Sequence, residues 1–144
     1  MFKSIYAASA IAAFSIAIPL SALAESPWPK EANVYFIMPQ DGADITGPVR
    51  VVMGLQGLGV APAGTEREMT GHHHILINTP APSGEDLLNP LPADENHVHF
   101  GGGQTETELT LAPGTYTLQL IVGDTNHIPH DPPLVSEIIT VTVQ

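Results

Sequence analysis

The stretch Thr105-Glu-Thr-Glu-Leu-Thr-Leu-Ala-Pro-Gly-Thr-Tyr-Thr-Leu-Gln-Leu-Ile-Val122 decides the fold. Residues 105–111 alternate polar and apolar side chains, the period of a strand with one face in a core and one in water. Residues 115–122 read as a second strand, and Ala112-Pro-Gly114 between them reads as a tight turn. Leu111-Ala-Pro-Gly-Thr-Tyr116 has the form of a tyrosine corner: a Tyr just inside a strand, its hydroxyl returning to the backbone of the preceding turn. That device belongs to β-sandwiches, where it pins the corner between two strands.

Working outward, the same punctuation recurs. Residues 34–37 and 48–55 are strand-like, separated by Pro39-Gln-Asp-Gly42, and Pro48 stands at a strand's first position, where a missing N–H is tolerated. A long Gly/Pro loop over 56–71 leads to a strand at 72–78. A Pro-rich crossing over 79–96 follows, with one helical turn near Leu87. Residues 97–100 form a brief strand before Gly101-Gly-Gly103, and 135–143 form the last, after a loop over 123–133. No repeat and no amphipathic helical period interrupts the series. The fold class expected is all-β: an immunoglobulin-like antiparallel β-sandwich of about seven strands.

The N-terminal 24 residues are of another kind. Lys3 precedes an apolar run broken by Ser and Pro19, ending in Ala22-Leu23-Ala24, the small-x-small pattern of a signal peptidase site. A membrane span needs roughly 20 unbroken apolar residues and is not expected here. The domain plan is therefore a cleaved signal peptide over 1–24, a lead over 25–32 and the sandwich over 33–144, which places the mature chain in the periplasm.

Composition excludes several functions. There is no cysteine, so neither a thiolate zinc site nor a blue-copper centre is available. Without its leader the chain keeps three basic side chains against fifteen acidic ones, a surface that repels nucleic acid and anionic lipid. The expected partners are a metal ion and, at need, a periplasmic metal-handling protein, with no nucleic acid and no membrane once the leader is gone.

All seven histidines fall in three short motifs: Gly71-His-His-His74, Glu95-Asn-His-Val-His99 and Asp124-Thr-Asn-His-Ile-Pro-His130. Unprotonated imidazole is a good borderline donor for copper, zinc and nickel at neutral pH. Strand alternation puts His72 and His74 on one face with His73 on the other, and puts His97 and His99 together. Pro129 stiffens the loop that presents His127 and His130. If successive strands alternate in direction, all three motifs reach the same pole of the sandwich, where such folds carry their binding loops. The expected metal ligands are His72, His74, His97, His99, His127 and His130. Gln104, Glu106, Asp124 and Asn126 are candidates to orient the imidazoles, and Met69 is a candidate soft ligand. No catalytic residue is assigned.

Several strings also carry a family resemblance: Gly59-Val-Ala-Pro-Ala-Gly64, Thr70-Gly-His-His-His74, Ala93-Asp-Glu-Asn-His97, His99-Phe-Gly-Gly-Gly-Gln-Thr-Glu106, Gly123-Asp124 and Asn126-His-Ile-Pro-His130. Over residues 33–143 the chain resembles an exported bacterial family catalogued as domain of unknown function 4399. That resemblance implies no activity. The residues themselves point to copper binding or buffering, with zinc the second ion. Two other readings stand beside it: a metal-free envelope module whose histidines respond to pH or hold a ligand, and a copper or zinc enzyme of unknown reaction. For the enzyme there is no H-E-x-x-H, no nucleophile elbow and no histidine at the mature N-terminus.

Overall fold

The computed structural model describes residues 26–144, so the expected signal peptide lies outside the described residues. The strands are β1 (Asn33–Met38), β2 (Ala43–Ile45), β3 (Val49–Gln56), β4 (Gly59–Val60), β5 (Thr70–Ile77), β6 (His97–His99), β7 (Glu106–Leu109), β8 (Gly114–Gly123) and β9 (Ile139–Val143). One 3-10 turn, Gly84–Leu88, buries Leu87 in the crossing before β6. No helix among the described residues is long and apolar enough to cross a membrane.

Two sheets face each other. One runs β1-β3-β7, the other β2-β9-β8-β5-β4, with β6 pairing on the β4 side of β5. The inner faces meet in a core of Val34, Val49, Val51 and Met53 from the first sheet and Ile75, Ile77, Leu118, Leu120, Val122, Val141 and Val143 from the second. The architecture is the immunoglobulin-like sandwich that the strand pattern implies. The tyrosine corner is formed: the Tyr116 hydroxyl donates to the carbonyl of Ala112 at 2.8 Å.

Two strands were not legible, β2 and β4, of three and two residues. Both pair in parallel, β2 with β9 and β4 with β5. Segments that short carry no period, and their neighbours fix them. The last strand also begins later than the sequence suggests. Residues 134–136 still lie beside β8, but the Ser136 hydroxyl accepts the Leu120 N–H at 2.9 Å and interrupts the ladder.

For function the important element is β5. Seven of its eight residues are buried, so both its faces are covered. His73, Ile75 and Ile77 share the inter-sheet face by alternation. His72, His74 and Leu76 share the outer one, where Leu76, Leu91 and Ile121 form a second small core with Ala81 and Val135. The lid over that face is built from the 79–96 crossing and the loop after β8. These two segments are tied by bonds from Leu91 N–H to the His127 carbonyl (2.8 Å) and from His130 N–H to the Leu87 carbonyl (2.9 Å).

Candidate metal centre

Register brings the imidazoles together. In the β5–β6 ladder His74 lies directly opposite His99, and in the β5–β8 ladder His72 lies opposite Gly123. Directly opposed residues share a face, so His72, His74 and His99 all rise from the outer side of the second sheet. Their ligating nitrogens lie within 4.8 Å of one another. His127 comes in from the loop that follows β8, with a positive φ of 69° that turns the chain back over the sheet. Its Nε2 stands 3.1 Å from Nε2 of His99, and the Nε2 atoms of His72 and His74 are also 3.1 Å apart. Two nitrogens bound to one ion at 2.0–2.1 Å are separated by about 2.9 Å at a right angle and about 3.4 Å at the tetrahedral angle. The observed spacing lies between those limits.

Two glycines make room for the cluster. A Cβ at Gly101 would stand 2.6 Å from His99 Nε2, and one at Gly123 would stand 3.0 Å from His74 Nε2 and 3.1 Å from the His127 Cα. At Gly101 the His99 imidazole occupies the space of a side chain, and at Gly123 the His74 ring and the His127 backbone leave a tight fit.

Burial keeps the His72, His74 and His99 rings uncharged. Burial lowers the His72 pKa to about 4; repulsion from His127 and His99 adds to the effect, and Asp124 partly opposes it. Burial and the neighbouring rings take His74 down to about 3. His99 is lowered as well, by burial first and by His127 second. A neutral imidazole has a lone pair to give, so His72, His74 and His99 could take a cation at neutral pH without first losing protons. The Nδ1 of His74 has no hydrogen-bond partner among the described residues.

Asp124 builds the arm that carries His127. Its Oδ1 accepts the N–H groups of Asn126 (2.8 Å) and Ile128 (2.9 Å), and its carbonyl accepts the His127 N–H at 2.9 Å. Burial pushes its own pKa up, but those bonds and His130 outweigh it and hold the carboxyl below its usual range.

The arrangement departs from the expected six imidazoles: His97 and His130 stand outside the cluster. His97 does share the face of His99, but it lies opposite Leu76, two pairs further along the ladder. Its Nδ1 bonds Asp94 at 2.8 Å, and the ring lines a cleft with Pro80, Pro82 and Leu91. His130 Nε2 pairs with Asp124 Oδ2 at 2.8 Å, and its ring packs edge-on to Trp28, 5.6 Å between centroids. Trp28 Nε1 in turn donates to the Pro129 carbonyl, which docks the N-terminal lead against the loop. His73 points between the sheets, fully buried, with neither ring nitrogen partnered among the described residues. Of the residues expected to orient the rings, only Asp124 sits at the cluster's margin. Gln104 accepts the Gly102 N–H, and Glu106 pairs with Arg50 in the open.

Fold and cluster together define a class: an immunoglobulin-like sandwich with a metal-competent group of histidines beneath the loops of one sheet. The chain belongs to the family described as a domain of unknown function (DUF4399), whose model matches residues 51–144. No curated protein matches the chain, and no solved structure does.

Proposed function

We propose that this chain is an exported, periplasmic protein that binds or buffers a transition metal, with copper its ion and zinc the second choice. One observation carries the reading: His72, His74 and His99, from two separated strands, bring their ligating nitrogens within 4.8 Å of one another, His127 reaches His99 from a third segment, and the two β5 rings are buried and uncharged. Neutral imidazoles this close can share N–H···N hydrogen bonds, and the same lone pairs are free to take up a cation in place of the shared protons. An all-nitrogen donor set suits copper and zinc, and the divalent stability order places copper higher. The signal-like leader supports delivery to a compartment where such ions are available.

The test is native mass spectrometry of untagged chain beginning at Glu25, after loading with copper or zinc and gel filtration. One ion per chain is expected, released as the pH falls because protons compete for the rings. A chain that retains no metal under these conditions removes the reading.

A further inference from the structure

The crossing that precedes β6 builds a cleft outside the imidazole cluster. Pro80, Pro82, Pro90, Leu91 and Pro92 line about 270 Å³ together with the His97 ring. Sites for drug-sized ligands hold about 300–1,000 Å³, so this one suits a smaller body. Its walls are fixed in place. Proline rings are locked to the backbone, and the crossing is fastened to the loop after β8. The Leu91 N–H donates to the His127 carbonyl, and the His130 N–H to the Leu87 carbonyl.

The polar lining is one-sided in its chemistry. Proline supplies no N–H, and the donors of Leu91, Asn89 and His97 are already committed. The Asn89 N–H donates to the Asp86 carbonyl at 3.2 Å, and Asn89 Nδ2 to the Glu85 carbonyl at 3.1 Å. Asp94 Oδ1 accepts the His97 N–H at 3.0 Å and lies 2.8 Å from His97 Nδ1. An ionised carboxylate only accepts, so Nδ1 carries the proton and Nε2 of the neutral ring keeps its lone pair. Three acceptors are left on the cleft with no partner among the described residues: the Asp86 carboxylate, Asn89 Oδ1 and His97 Nε2. Residues 71–144 contain no Lys or Arg, so no basic side chain of the crossing or of its neighbours in sequence answers them.

Apolar walls, unspent acceptors and one full negative charge fit an apolar body that ends in a charged donor. A neutral donor gains less, since charge-assisted hydrogen bonds are about twice as strong as neutral ones. An anion meets the Asp86 carboxylate and is repelled. We propose that this cleft binds a small organic cation, an ammonium group on a compact apolar body, held by Asp86, Asn89 and His97. The site goes beyond the metal reading and does not depend on it, because none of these three residues belongs to the imidazole cluster.

The experiment titrates the untagged chain beginning at Glu25, stripped of metal by chelation, with phenethylamine. Binding is followed by calorimetry and by amide-resolved NMR. Shifts centred on residues 86–97 and a dissociation constant of about 1 mM or tighter are expected. N-acetylphenethylamine and phenylpropionate keep the ring but lose the charged donor, and are expected to bind at least about tenfold more weakly. Asp86→Asn is expected to cost the amine a similar factor, and since Asp86 is exposed the fold should tolerate the change. The same variant separates a built site from general attraction to an acidic chain, because it removes only one of fifteen acidic side chains. An amine that moves no resonance of the cleft at about 10 mM overturns the proposal. So does an amine that binds Asp86→Asn as well as the parent, or an acetylated compound that binds as well as the amine. None of these outcomes touches the metal reading, which stands or falls on the loading experiment above.

Discussion

At the residue scale, the rings of His72, His74, His99 and His127 gather together, and those of His73, His97 and His130 stand apart. Replacing His72 or His74 by Ala is expected to weaken metal binding by more than about 100-fold, beyond the usual cost of losing a group that merely orients a ligand. His97→Ala and His130→Ala are expected to keep stoichiometric metal, read by isothermal titration of each variant against the parent. Loss of metal in His97→Ala would mean that the ladder register is misplaced. Gly101→Ala tests the cluster from outside, since its methyl would displace the His99 ring. Affinity should fall toward that of His99→Ala while circular dichroism keeps the β-sheet signature. The sequence indicated which face each histidine takes, because alternation is local. It did not indicate that His99 rather than His97 meets His74, because register depends on where a distant strand begins.

At the scale of the element, β5 serves two cores at once. Its inner face carries His73 into the space between the sheets with both ring nitrogens unpaired, and burial lowers that pKa to about 4. An unpartnered buried polar group costs about 1–3 kcal/mol. His73→Leu is therefore expected to raise the denaturation midpoint without altering metal affinity. A lower midpoint in His73→Leu would show that the ring has a partner or a packing role that an aliphatic side chain cannot supply. The long strands and the tyrosine corner were legible because each repeats a local chemical rule over several residues. The two parallel pieces, β2 and β4, were not, since two or three residues hold no period. The covered outer face of β5 was also hidden: a strand buried on both sides shows no alternation, and its lid comes from segments up to fifty residues away.

At the scale of the whole molecule, the buried neutral rings link stability to pH. His72, His73 and His74 are held below the ordinary imidazole value in the fold, so between about pH 4 and 6.5 the unfolded chain binds more protons than the folded one. Stability of the metal-free protein is expected to be full above about pH 6.5 and to fall as the pH drops through that window. Each such ring contributes at most about 1.4 kcal/mol per pH unit. Urea midpoints measured from pH 7.5 to 4.5 provide the check, and a flat profile would contradict the burial. A bound ion should hold the midpoint up until protons displace it. If the proposed metal binds, the loop arm of His127 bears on how it leaves. His72, His74 and His99 are woven into sheet ladders, whereas His127 hangs on a segment fastened by bonds to Asp124 and Leu91. On the proposed function, an acceptor would need only to lift that segment to gain a foothold on the ion, and could then take it by stepwise ligand exchange. The sandwich beneath would remain folded throughout the hand-over.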